Sequence, residues 1–196
     1  MLTVALDLAE SGAVARLLSV VDEAGVELEL LVNSAGTSSR GPVVDSDPAL
    51  LRRLVDLNVG ALTELTTAVA TRMSSRGHGS IVNIASTGAY APAPILAAYA
   101  ASKAYVLSFT QALWAETKGT NIRVVAVSPG PTQTPMNAAA GRGKRQPAQV
   151  AETVLAALDG SGPAVVDGRR NALTAALIHL LPARVITWLA LRASSS

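Results

Sequence analysis

SIVNIASTGAYAPAPILAAYAASKAYVLSFTQALWAETKGTNIRVVAVSPG, residues 80–130, reads as a strand, a long helix and a second strand. Ser80-Ile81-Val82-Asn83-Ile84 and Ile122-Arg123-Val124-Val125-Ala126-Val127 are short runs rich in β-branched residues, and Pro129-Gly130 stops the second. Leu96 to Lys118 is too long for a strand and reads as a helix. Two apolar strands joined through a helix form a parallel pair. The same alternation continues outward. Upstream lie a helix over Asp47 to Met73, a strand over Leu28 to Val32, a helix over Glu10 to Glu23 and a strand over Leu2 to Leu6. Asp45, Ser46 or Asp47 can cap the Asp47–Met73 helix, and Pro48 suits its first turn. Downstream lie a helix over Ala148 to Leu158 and a short strand, Ala164-Val165-Val166. This pattern predicts an α/β protein: a parallel sheet between two layers of helices, in one domain over residues 1–196.

Composition agrees with a packed domain. The chain has 196 residues, 49% of them hydrophobic and only 15% charged, a balance that argues against disorder. Aromatics make up 3%, so Ala, Val, Leu and Ile must fill the core. The formal net charge of +2, with no basic run interleaved with aromatics, gives no basis for nucleic-acid binding. The absence of cysteine excludes a disulfide framework and thiolate metal sites, and it suits a reducing, cytoplasmic setting. Residues 1–7 do not form a signal peptide.

Chemistry concentrates where strands end. Tyr99 and Lys103 are four residues apart in a helical stretch and so share a face. A tyrosine ionises near pH 10, and an adjacent ammonium favours its phenolate, which fits it for proton transfer to an oxygen. Ser86 follows the strand ending at Ile84, and Pro129-Gly130 follows the next strand. Asn33-Ser34-Ala35-Gly36 follows the previous one. The carboxyl ends of parallel strands form a ligand crevice, so these three turns face one site.

Together, Asn33-Ser34-Ala35-Gly36, Asn58, Ser86, Tyr99, Lys103 and Pro129-Gly130-Pro131-Thr132-Gln133-Thr134 resemble the short-chain dehydrogenase/reductase family. Ser86 stands thirteen positions before Tyr99, as in that family, while Ser34 replaces its usual second Asn. The likeness runs from about Leu2 to at least Pro135. It implies a Rossmann-like doubly wound fold and an oxidoreductase that interconverts a carbonyl and an alcohol with NAD(P)(H), NADP being slightly preferred by analogy. It also implies roles. Tyr99 is the acid/base, Lys103 lowers its pKa and holds the nicotinamide ribose, Ser86 binds the substrate oxygen, and Asn58 positions a water. Asp7 contacts the adenine; Asn33, Ala35 and Gly36 line the adenosine side. Pro129, Gly130, Thr132 and Thr134 lie by the nicotinamide and pyrophosphate. The two long helices are the family's usual dimer faces, so a homodimer or homotetramer is expected.

The family opens with a strand, a Thr-Gly-x-x-x-Gly-x-Gly turn and a helix whose N-terminus holds the pyrophosphate. No such element is found here; Gly77-His78-Gly79, Gly141-Arg142-Gly143 and Gly160-Ser161-Gly162 have the wrong spacing and setting. Met1 aligns before the family's third strand, so the expectation is a sheet lacking the first two strands and their helices, on the order of 50 residues. In that case Leu2–Leu6 has no neighbour, Leu28–Val32 becomes an exposed edge, and the chain alone is weakly active or inactive. Two alternatives stand beside the oxidoreductase reading: a shortened, non-catalytic protein that binds or oligomerises, and an epimerase or dehydratase sharing the Tyr-Lys pair.

Beyond Asp167 the sequence resembles the tails of bacterial ketoacyl and steroid reductases. Residues 169–196 read as an amphipathic helical tail that closes the pocket, serves a subunit interface or touches a membrane surface with Arg184 and Arg192 at the headgroups. A stretch over Ala172 to Leu191 is interrupted by Pro182 and Arg184 and is no membrane span. The Gly- and Arg-rich loop from Asn137 to Gln146 reads as mobile. His78 and His179 lack the partners for a metal site, and Glu27 and Glu29 read as a solvated face. The substrate expected is a small, hydrophobic carbonyl or alcohol.

Overall fold

The structure, a computed structural model, describes residues 1–137, 143–178 and 181–194. Its centre is a four-stranded, wholly parallel sheet in the order β1 (Leu30–Asn33), β2 (His78–Ile84), β3 (Asn121–Ser128), β4 (Ala164–Val166). The helices are α1 (Ala13–Glu23), α2 (Pro48–Val55), α3 (Leu62–Arg76), α4 (Ala97–Glu116), α5 (Pro147–Asp159), α6 (Arg169–Ile178) and α7 (Ala183–Ser194). Asp47 caps α2 by accepting from the Ala49 N–H, with Pro48 in the first turn. The stretch expected as one helix from Asp47 to Met73 is interrupted between α2 and α3 by a π-helical turn, Asp56–Ala61.

The side-chain alternation of β2 and β3 sorts the core. Ile81 and Val124 face α1 and α3, and Ala126 packs with Val106 and Leu107 of α4. Val82, Val125 and Val127 face α5 through Val154, Ala157 and Leu158. Ile81, Val82, Val124, Val125 and Val127 are all fully buried. Each stabilises the fold by about 1.5–3 kcal/mol relative to exposure. The α5 layer stops short of β1, where Leu30 and Val32 remain 40% and 42% exposed. Among the described residues β1 pairs only with β2 and is an edge strand, as expected of Leu28–Val32.

One expected element is corrected. Leu2–Leu6 forms no strand. Extended backbone becomes a strand only with a partner, and no described strand lies beside it. The expected mobility of the Asn137–Gln146 loop falls largely on residues 138–142, outside the described residues, as does His179.

Beneath the carboxyl edge of the sheet a buried polar network joins four elements. Asn33 Nδ2 donates to Thr66 Oγ1 and to Asn83 Oδ1, both at 2.8 Å, and Asn83 Nδ2 donates to Thr110 Oγ1 at 3.0 Å. Asn33, Asn83, Thr66 and Thr110 are all buried. Satisfied groups of this kind fix α3 and α4 against β1 and β2, because a shift of either helix would orphan a buried amide.

Candidate active site

A cavity of about 1000 Å³ opens at the carboxyl ends of β1, β2 and β3. Ser86, Tyr99 and Lys103 line it together with Gly36, Pro129 and Gly130. Ser86 caps a 3-10 turn, Thr87–Tyr90, its Oγ accepting from the Gly88 N–H at 3.1 Å. Its hydroxyl hydrogen is left to donate into the cavity. Gly88 lies between two members of the trio: a Cβ there would stand 3.5 Å from Ser86 Oγ and 3.7 Å from Tyr99 Cε1. α4 carries Tyr99 and Lys103 one turn apart. Lys103 is only 7% exposed, and its Nζ donates to the Ile84 carbonyl at 2.8 Å. Burial lowers its pKa from 10.5 to about 8, since desolvation disfavours the ammonium.

Asn58 sits in the π-helical turn, a distortion often found at functional sites. Its amide binds two elements. Oδ1 accepts from the Thr37 N–H at 2.9 Å, while Nδ2 donates to the Thr37 carbonyl at 2.9 Å and to Ser102 Oγ at 3.0 Å. Ser102 Oγ in turn donates to the Tyr99 carbonyl at 2.7 Å. Asn58 therefore ties the loop after β1 to the turn of α4 that carries Tyr99. A Cβ on Gly36 would lie 3.3 Å from Asn58 Oδ1 and 3.6 Å from Lys103 Nζ, so Gly36 keeps the floor between these groups open.

Thr132 and Thr134 also line the cavity. Asp7, Asn33 and Ala35 do not. Asn33 spends its amide on the buried network, and Asp7 pairs with Arg53 and accepts from the Ala9 N–H, a bond that holds its carboxyl below the usual range. At the opposite end of the sheet, the ligand atoms of Glu27, Glu29 and His78 lie within 4.8 Å of one another, so carboxylates do cluster around His78. Arg76 already pairs with Glu27 there.

The far wall of the site is held by residues that the sequence did not single out. Asp167, wholly buried at the end of β4, accepts from Arg145 Nε and Nη2 at 3.0 and 2.8 Å and from Thr153 Oγ1 at 2.6 Å. Arg145 grips the Pro129–Thr134 loop through backbone bonds: its N–H donates to the Pro131 carbonyl and its carbonyl accepts from the Gln133 N–H, both at 2.9 Å. Asn171 donates to the Asp167 carbonyl at 2.7 Å and packs against Gly130, where an added Cβ would meet it at 2.3 Å. Ser102 was likewise missed, being one more small residue in an alanine-rich helix.

Residues 1–145 match the family model described as short chain dehydrogenase. Dehydrogenase/reductase SDR family member 7B of Bos taurus is 35% identical over 170 residues, covering 80% of this chain and 52% of that protein. The chain spans about half the length of the curated relatives it matches. Among solved structures, a short chain dehydrogenase from Burkholderia cenocepacia in complex with NADP superposes with a TM-score of 0.81 at 28% identity, over 94% of this chain and 78% of that one. A 4-hydroxyisoleucine dehydrogenase complexed with NADH and succinate gives a TM-score of 0.74 at 27% identity, over 83% and 76%.

Proposed function

The chain belongs to the short-chain dehydrogenase family, and we propose that it carries the proton-transfer machinery of an NAD(P)(H)-dependent oxidoreductase acting on a carbonyl/alcohol pair. One observation carries this: Ser86, Tyr99 and Lys103 converge on a single cavity at the strand ends. A bound nicotinamide would supply the hydride or accept it. The residues present fit its ribose end. Lys103 Nζ faces the cavity with one of its three donors on the Ile84 carbonyl, leaving two for ribose hydroxyls. Gly36 keeps its side of the cavity clear. Neighbours in complex with NADP and with NADH support a nicotinamide dinucleotide without choosing between them.

In the reductive direction the substrate oxygen accepts hydrogen bonds from Ser86 Oγ and Tyr99 Oη. The Tyr99 hydroxyl passes its proton to that oxygen as charge develops, and Lys103 stabilises the resulting phenolate. Asn58, through Ser102, holds the turn of helix that aims Tyr99. In the oxidative direction the same proton returns. Leu96, Met136, Val150, Val154 and Leu155 make one part of the wall apolar, which suits a hydrophobic substrate.

Tyr99→Phe tests the assignment. Turnover of a ketone and alcohol panel, followed by NAD(P)H absorbance, should fall by about 10²–10⁴. Dinucleotide affinity, measured separately by fluorescence titration, should change little. A variant that keeps wild-type turnover would refute the role of Tyr99.

A further inference from the structure

Net positive charge and apolar exposure are both concentrated after Asp167. That stretch holds Arg169, Arg170, Arg184 and Arg192 and not one Asp or Glu. The rest of the chain carries all 14 acidic residues and is slightly acidic in balance. Arg169, Arg170, Arg184 and Arg192 are exposed. Between them, Leu173 and Leu177 stand one turn apart on α6, 63% and 53% exposed. On α7, Val185, Trp188 and Leu189 share a face at helical spacing and are also exposed. The Arg192 guanidinium lies 3.9 Å over the Trp188 ring.

The tail does not close the large cavity: among the described residues, none beyond Leu155 lines it. α6 is anchored through Asn171 and the buried Ala175, whereas α7 keeps most of its surface in solvent.

We propose that α6 and α7 dock on an anionic lipid surface. Cationic side chains with Trp and Leu on short helices suit the headgroup boundary: arginines meet phosphates, Trp lies at the interface and leucines reach the acyl chains. No described helix is long and apolar enough to cross a membrane, so the pair lies on the surface. A second copy is the poorer occupant. A two-fold contact of tail on tail would bring four arginines against four arginines with no Asp or Glu side chain between them. Docking also sets the catalytic cavity close to the lipid. Thr187 of α7 lines a smaller cavity that shares Ala93 and Ala100 with the large one.

The test uses flotation of the whole chain with vesicles of phosphatidylcholine alone or mixed with phosphatidylglycerol. It needs no enzymatic turnover, so it stands or falls apart from the oxidoreductase assignment. The chain should float with the anionic vesicles only and be released by high salt. Arg184→Gln and Arg192→Gln should each weaken binding about fivefold. In a Trp114→Phe background, Trp188 emission should shift to the blue on binding. Leu177→Ser with Leu189→Ser, both at exposed positions, should abolish flotation while far-ultraviolet circular dichroism stays unchanged. Failure to float with anionic vesicles overturns the proposal, as does equal binding to both vesicle types or unaltered binding by the arginine variants. A tail-dependent dimer by light scattering, without flotation, would assign the face to a second copy instead.

Discussion

Replacing Lys103 by Met should make the protein more stable near neutral pH while disabling its site. The ammonium is nearly buried, and desolvation brings its pKa to about 8 from the 10.5 of an exposed lysine. That difference corresponds to about 3 kcal/mol of destabilisation wherever Lys103 is charged in the native state. Met fills the space without the charge but forfeits the bond to the Ile84 carbonyl, which is worth about 1.5–3 kcal/mol. The net gain at pH 7 is therefore about 1 kcal/mol, or roughly 2–4 °C in Tm. The pH dependence is the sharper signature. Between pH 8 and 10.5 the folded chain has released the Lys103 proton while the unfolded chain still holds it. Wild-type stability therefore climbs with pH across that window by about 3 kcal/mol from this group alone. The Met variant lacks the climb. Urea denaturation of both proteins from pH 7 to pH 10 isolates it, because the other titrating groups cancel in the difference. The Met advantage should shrink and reverse as pH rises. A difference that stays flat would mean that Lys103 is well hydrated in the native protein, and the desolvation argument would fail.

Three further outcomes follow from the wall of the site. Gly130→Ala forces a methyl against Asn171 and should destabilise by about 1–3 kcal/mol; adding Asn171→Ala should restore part of that loss in a thermal double-mutant cycle, and simple additivity would show that the two do not touch. Asp167→Asn leaves Arg145 without its carboxylate and should cost about 2 kcal/mol, with faster amide exchange in the Pro129–Thr134 loop; unchanged exchange there would show that Arg145 does not hold the loop. Ile95, which precedes α4, is a β-branched residue at φ 60 and accepts the Gly41 N–H. Ile95→Gly should therefore be more stable than Ile95→Ala by about 1 kcal/mol in chemical denaturation, the reverse of the usual order; the ordinary order would show that the backbone there is relaxed.

Much of this was legible because parallel strands buried on both faces read as apolar runs, and because Tyr99 and Lys103 need only helical spacing to meet. Turn residues at Asn33–Gly36, Ser86 and Pro129-Gly130 mark one sheet edge in the sequence itself. Local pattern failed where a partner decides the outcome. Leu2–Leu6 has the composition of a strand but, among the described residues, no neighbouring strand to bond. The amide of Asn33 goes to Thr66 and Asn83, partners visible only once α3 and β2 are packed. The π-helical turn that holds Asn58 is an insertion in hydrogen-bond register, and Asp56–Ala61 has no composition that announces it.

The same distinction explains which half of the site the sequence shows. Ser86, Tyr99 and Lys103 lie within eighteen positions, on a strand end and the helix that follows, so one local unit assembles the proton-transfer groups. The opposing wall is the loop at Gly130, braced from behind by Arg145, Asp167 and Asn171, which separate elements bring together. Each alone is an ordinary glycine, arginine, aspartate or asparagine. The consequence is mechanical: the trio is held by the end of β2, by α4 and by the core beneath them, whereas the loop facing it is braced by Arg145 on Asp167, by Asn171 against Gly130 and by the Thr87 N–H on the Pro129 carbonyl.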